Sequence, residues 1–268
     1  MKPDRSDPAG LARALSVVEN GGMAADQLLA SLHDRLGGAH RVGITGPPGA
    51  GKSTLAHALV RHWREAGRTV AVVAVDPSSP LSGGALLGDR IRMEGVALDQ
   101  GVFIRSMATR GALGGLAFTT QEVCDVLDAA GFDLILVETV GVGQAELAVV
   151  AATDTTVLVL VPESGDGIQT LKSGLMEVAD IFAVNKADRP GAELLLREIR
   201  LALDLRTVRP GDGAGGESTA WRPPAVLTTA SSGAGAPELA QAIAAHWEWL
   251  GQEGRLGSRR AARRRSAS

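Results

Sequence analysis

At 268 residues, with 45% hydrophobic and 21% charged positions, the chain has the make-up of a folded globular protein with room for one sizeable core. A net charge of −3 lacks the positive balance of a general nucleic-acid binder, and the single cysteine, Cys124, excludes an intramolecular disulfide or a cysteine-rich metal site. No apolar run approaches the ~18 residues of a membrane span and no signal peptide is recognisable at the start, so a cytoplasmic protein without membrane contact is expected.

In chain order, Met1 to Pro8 is polar and reads as disordered. Leu11 to Leu36 carries apolar residues at helical spacing, and the pattern breaks near Gly21-Gly22 into two short helices. Residues 1–38 are therefore expected to form a helical extension packed on the main domain. The apolar run Val42 to Thr45 predicts a buried strand. It empties into Gly46-Pro-Pro-Gly-Ala-Gly-Lys52-Ser53, which fits G-x-x-x-x-G-K-[ST], and a helical pattern succeeds it. Strand, glycine loop and helix N-terminus is the context a phosphate-binding loop needs. Glycines at 46, 49 and 51 let backbone N–H groups approach phosphate oxygens, and Ala50 and Thr54 belong to the same cradle. Lys52 would bridge the β- and γ-phosphates, and the Ser53 hydroxyl would bind Mg²⁺. A glycine-rich turn without a ligand is the competing reading, and the complete pattern in this context argues against it.

Thr69 to Val75 predicts a second strand, continuous in apolar character as in a parallel sheet covered on both faces. It ends in Asp76-Pro77, where Asp76 serves either the Mg²⁺ shell or a plain turn. Leu81 to Arg92 is glycine-rich and holds Asp89 and Arg92, a carboxylate and a guanidinium suited to a nucleotide-dependent switch, or to a simple ion pair. Gly101 to Met107 predicts a strand, Ala108 to Gly115 a loop with Arg110, and Leu116 to Ala130 a helix with Cys124 in the core. Asp133 to Glu138 predicts a buried strand ending in an acid, the arrangement of a Walker-B element. Glu138 would hold Mg²⁺ through a water, and the Gly141 N–H would sense the γ-phosphate.

Thr155 to Val161 predicts a further strand, leading to a loop over Pro162 to Lys172 and a helix. Asp180 to Val184 predicts a strand that ends in Asn185-Lys186-Ala187-Asp188. An Asp carboxylate accepts two hydrogen bonds from guanine N1–H and the exocyclic amino group; adenine offers neither, so N-K-x-D about 130 residues after a phosphate loop implies guanine. Lys186 would lie over the base, and Asn185 would tie this loop to the phosphate side. Glu193 to Leu205 predicts a helix, Ala225 to Thr229 a seventh strand, and Pro237 to Leu250 a final helix. Ala230-Ser231 resembles the loop that backs the guanine base. From Arg255 the tail holds six arginines and reads as a solvated, disordered end (residues 251–268), with an anion-binding arm as the alternative.

Together these residues resemble the MeaB/ArgK-like family, GTPases associated with methylmalonyl-CoA mutase and related cobalamin-dependent mutases. The resemblance rests on GPPGAGKST (46–54), VAVDPSSP (73–80), GDRIRM (88–93), ETVGVGQ (138–144), the loop at 165–172 and VNKAD (184–188). It implies a three-layer α/β P-loop domain over 39–250, with a mostly parallel seven-stranded sheet of the SIMIBI type. It implies GTP/GDP and Mg²⁺ as ligands, with Asp76, Asp89 and Glu138 around the metal, and catalytic roles for Lys52, Asp89, Glu138, Gln169 and Lys172. The loop carrying Gln169 and Lys172 would couple hydrolysis to a cobalamin-dependent acyl-CoA mutase, whose cofactor loading the protein would gate. A homodimer is a further expectation, although the family's helical dimer arm lies beyond Ser268. The third loop departs from the family at Glu163 and Gly167. Val142 stands where Ras-like proteins place a water-orienting glutamine, which predicts slow intrinsic hydrolysis. A nickel-type metallochaperone and a non-catalytic guanine-nucleotide module are the rival readings.

Overall fold

The computed structural model describes residues 2–76, 95–96, 98–108, 113–139, 145–162, 175–207 and 220–267. Seven strands are β1 (His40–Thr45), β2 (Val70–Asp76), β3 (Val102–Ala108), β4 (Leu134–Thr139), β5 (Thr155–Leu160), β6 (Ile181–Val184) and β7 (Ala225–Leu227). They form one sheet in the order β3-β2-β4-β1-β5-β6-β7, and every pairing among them is parallel. The expectation of a mostly parallel sheet is thus met by an entirely parallel one. Parallel neighbours need crossovers, which α3 (Lys52–Glu65), α4 (Leu113–Ala129), α5 (Ala145–Ala152), α6 (Leu175–Val178) and α7 (Ala192–Thr207) contribute. Strand order reverses at β1, which lies between β4 and β5, so the crevice beyond its carboxyl end is where a sheet of this kind collects ligands.

Alternation along each strand sorts side chains into two buried layers. In β2, Ala71, Val73 and Val75 face the helices α1 (Pro8–Asn20) and α4, while Val70 and Val72 face α3 and α8 (Ala236–Gly251). In β5, Val157 and Val159 join the α3/α8 layer, and Leu158 and Leu160 meet α6 and α7. Both faces are therefore dry, which explains the continuous apolar runs. Phe182 is fully buried here, and its truncation to alanine should cost about 3–5 kcal/mol.

Helix α1 starts where Asp7 Oδ1 accepts the Gly10 N–H at 2.8 Å, with Pro8 in the first turn. Gly21 (φ 69°) and Gly22 (φ 83°) then break the chain before α2 (Met23–Ala30), as the sequence predicts. The segment before α1 is not a loose end: Arg35 Nη2 donates to Pro3 O and the Arg5 N–H to Ala130 O, both at 3.2 Å. Nor is α8 the last helix. The arginine-rich segment expected to be disordered forms α9 (Arg255–Ala267), which packs against α4, α5 and α8. Cys124 is fully buried, and burial pushes its thiol up to about 12.

Candidate functional site at the carboxyl edge of the sheet

β1 delivers the glycine loop. Its register sets Ile44 beside Glu138 of β4 on one side and Val157 of β5 on the other, so Glu138 lies at the level where β1 gives way to the loop. Gly46 has φ 140°, and a Cβ there would fall 2.2 Å from Val159 O. The backbone of β5 leaves no room for a side chain at that turn. Gly51 (φ 86°) precedes α3 without a side-chain cap, leaving the first-turn N–H groups of that helix for an incoming acceptor.

Lys52 opens α3 and is only 6% exposed. Its Nζ donates to Gly46 O at 2.7 Å and Pro47 O at 3.0 Å, so the ammonium is held inside its own loop. Burial lowers its pKa, while the carboxylates of Glu146 and Glu138 oppose that shift. Glu146, in the first turn of α5, has its own pKa raised by burial, with Lys52 acting against the rise. Sequence patterning does not single out Glu146; its one available signal is an acid placed just after the Walker-B stretch. Ser53 is half-buried, Thr54 exposed and Glu138 buried.

The second half of the site hangs on Asn185, 2% exposed at the end of β6. Its Nδ2 donates to Ala50 O at 2.8 Å, inside the glycine loop. Its Oδ1 accepts the Ala230 N–H at 3.0 Å and the Thr228 hydroxyl at 3.2 Å. One side-chain amide therefore joins the 46–54 loop to the loop after β7, which a bridge between Thr229 and Ala234 closes. Thr228 is a second participant that sequence patterning misses. Lys186 takes φ 57°, and the Ala187 N–H donates to Thr228 O at 3.0 Å, fixing the turn that carries Asp188 into solvent. Ser231 is exposed beside Ala230.

The structure thus brings together Gly46, Gly49, Ala50, Gly51, Lys52, Ser53, Thr54 and Glu138 at one end of the edge, and Asn185, Lys186, Asp188, Ala230 and Ser231 at the other. Asp76 ends β2 opposite Ala108, one position past the pair Val75–Thr139, so its backbone lies on the same edge. The side chain of Asp76 and the residues Asp89, Arg92, Arg110, Gly141, Val142, Gln169 and Lys172 lie outside what the structure describes.

A glycine loop at a strand-to-helix turn, joined by one asparagine to the loop after β7, is a geometry suited to holding a phosphate-bearing ligand. A protein-family profile described as methylmalonyl Co-A mutase-associated GTPase MeaB matches residues 11–268. The chain belongs to that family. A Pyrococcus horikoshii protein named as a GTPase is 49% identical over 259 residues, covering 97% of this chain and 80% of the relative. The mouse methylmalonic aciduria type A homolog is 41% identical over 203 residues, covering 74% of this chain and 47% of that protein. Escherichia coli GTPase ArgK is 42% identical over 188 residues, covering 69% and 57%. Among solved structures, one described as a LAO/AO transport system kinase aligns with a TM-score of 0.74 at 28% identity, covering 98% of this chain and 78% of that one. Nickel-bound HypB from Helicobacter pylori aligns with a TM-score of 0.54 at 15% identity, which shows a shared fold alone. This MeaB-family GTPase thus has the SIMIBI-type P-loop fold, with guanine nucleotide as its ligand class. Among its described residues no helix is long and apolar enough to cross a membrane.

Proposed function

We propose that this MeaB-family GTPase is a cytoplasmic, magnesium-dependent, slow GTP hydrolase that serves a cobalamin-dependent acyl-CoA mutase, gating the loading or protection of its cofactor. The observation that carries the reading is the Asn185 amide, which makes the phosphate cradle and the base loop a single mechanical unit. Binding of the triphosphate at one end then orders the base loop at the other. The family's description, and the methylmalonic aciduria name of the mouse relative, support the mutase as partner.

In this reading the N–H groups from Gly46 to Thr54 grip the phosphates. The Lys52 ammonium leaves the carbonyls of Gly46 and Pro47 for the β- and γ-phosphates, a transfer that its burial favours because the anion supplies the counter-charge that two neutral carbonyls do not. Ser53 and Glu138 are hard oxygen donors, the class magnesium takes, and both lie beside the cradle; Asp76 and Asp89 would complete that set. Magnesium there would supply neutralisation of the developing phosphate charge. The Gly141 N–H senses the γ-phosphate, and Gln169 and Lys172 relay its loss to the mutase. Asp188 pairs with guanine N1–H and the 2-amino group, Lys186 covers the base, and Ala230 and Ser231 back it. A homodimer is part of the proposal.

The test is GTP turnover by the isolated protein and after addition of a methylmalonyl-CoA mutase. Slow turnover alone, raised roughly tenfold or more with the mutase, is expected, since ordering of switch loops by a partner has effects of at least that size. Fast turnover by the isolated protein, or no response to any cobalamin-dependent mutase, would contradict it. Lys52→Ala should abolish turnover in both conditions.

A further inference from the structure

On the amino edge of the sheet, opposite the nucleotide site, helix α9 lies across the starts of β1 and β5. Its charged residues are all arginines, six of them between Arg255 and Ala267. Arg260 grips Asp154 with two bonds, Nε to Oδ1 at 2.8 Å and Nη2 to Oδ2 at 2.6 Å, and Nη2 also donates to Ala39 O at 2.9 Å. Arg259 donates to Asp180. Arg255 donates to Trp249 O at 3.1 Å and stacks over the Trp249 ring.

The sheet builds these acceptors independently of the helix. Asp154 Oδ2 accepts the Arg41 N–H at 3.1 Å, and Asp180 Oδ2 accepts the Thr156 N–H at 2.8 Å. Beside them, Thr155 Oγ1 bridges His40 Nε2 and His246 Nδ1 at 2.6 and 2.8 Å, and Trp247 stacks on His40. Burial pushes the two imidazoles down to about 3 and about 4, so both are neutral. Without α9 each carboxylate would keep a backbone N–H donor, while Asp154 would lose Arg260 and Asp180 would lose Arg259.

What holds α9 is therefore unusual. No described residue of the helix belongs to the buried apolar core, whereas α8 contributes Leu239, Ile243 and Leu250. Burying guanidinium–carboxylate pairs recovers little more than the desolvation it costs, so without an apolar surplus the docking gain is small. Six like charges on one short helix reduce it further. The guanidinium side chains of Arg259 and Arg260 remain 21% and 18% exposed, within reach of mobile ions. Between α8 and α9, Glu253 and Gly254 both adopt left-handed backbone, at φ 53° and 69°, a sharp break in the chain that the contacts of Arg255 to Trp249 span.

We propose that α9 is a strap which detaches from the amino edge of the sheet as a unit while the GTPase core stays folded, with ionic strength setting its occupancy. Release would turn one self-satisfied surface into two of opposite sign: a six-arginine helix, and an edge carrying Asp154 and Asp180. Hydrogen exchange read by mass spectrometry on the full chain with GDP, at about 50 mM and about 500 mM NaCl, tests this across the range where screening changes most. Residues 255–267 should exchange roughly tenfold faster at high salt, while α3 and α8 change less than about twofold. Arg260→Gln should show the high-salt pattern at low salt, with α8 still protected. The proposal is overturned if α9 exchanges in step with α8 at both salt concentrations, is unprotected at both, or keeps its protection in Arg260→Gln. Equal loss of α8 and α9 protection in that variant would also overturn it, because α9 would then be part of the cooperative core.

Discussion

Asn185→Ala removes one buried amide and leaves three groups behind it: Ala50 O, the Ala230 N–H and the Thr228 hydroxyl. All three bonds are buried, so water cannot simply replace them. A buried group stripped of its partner costs about 1–3 kcal/mol, and taking the low end for each gives a loss of about 3 kcal/mol. For a chain of this size that corresponds to a fall in Tm of roughly 6–12 °C. The effect on ligands is more diagnostic. Ala50 sits in the glycine loop and Ala230 in the loop after β7, the proposed phosphate and base sides, so uncoupling them should weaken GTP and GDP together, by roughly tenfold or more for the loss of about 1.4 kcal/mol or more of pre-organisation. Asn185→Asp keeps the acceptor for Ala230 but points a carboxylate oxygen at Ala50 O, so it should be no better than alanine. Thermal melting, then calorimetric titration with both nucleotides, gives the answer. A variant with wild-type Tm and nucleotide affinities within twofold would refute the claim that this amide makes the two loops one unit.

Other consequences attach to single positions. Gly46→Ala puts a Cβ 2.2 Å from the Val159 carbonyl oxygen, a backbone atom that cannot yield, so little folded protein should accumulate by circular dichroism. Gly51→Ala meets the Asn185 amide at 2.5 Å and demands φ 86° of a non-glycine residue; it should fold but lose about tenfold or more in GTP affinity by calorimetry. Glu122 on α4 has its carboxyl raised to about 7 by burial, with Asp125 and Asp26 adding to the rise. Its folded-state pKa lies above the unfolded one, so the native state holds the extra proton. Stability is then greatest at acid pH and falls as pH rises from the ordinary glutamate range to about 7. Because Glu122 is only partly buried the effect is discounted to about 1–2 kcal/mol, and Glu122→Gln should raise Tm at pH 8 but not at pH 5. Equal shifts at both pH values would show that the carboxyl is not strained by its surroundings. Asp188→Asn should favour xanthosine triphosphate over GTP; unchanged guanine preference in competition binding would reject the role given to that carboxylate.

The parts of this fold that are readable in the sequence are those fixed by local pattern. β2 and β5 announce themselves because a strand covered on both faces is apolar throughout, and the 46–54 loop because its glycines are required by the turn itself. Helix α5 is not legible in this way. It packs against both α4 and β1, so its apolar residues run on without the helical alternation that betrays a half-solvated helix. The arginine tail misleads for a different reason. Arg260 meets Asp154 across 106 residues and Arg259 meets Asp180 across 79, and no local signal connects partners so far apart. At the candidate site, N-K-x-D singles out Asn185, which the structure ties to the glycine loop, yet the share of Thr228 in holding Asn185 and the electrostatic pairing of Glu146 with Lys52 depend on the folded geometry.

The most direct measurement is calorimetric titration of the protein with GTP, GDP and ATP in the presence of magnesium. Both guanine nucleotides should bind at a single site, and ATP should be weaker by roughly a hundredfold or more, because in the role proposed for Asp188 adenine leaves its carboxylate without two donors. ATP binding as tightly as GTP, or no heat from either guanine nucleotide, would contradict a guanine site spanning the carboxyl edge from the glycine loop to Asp188.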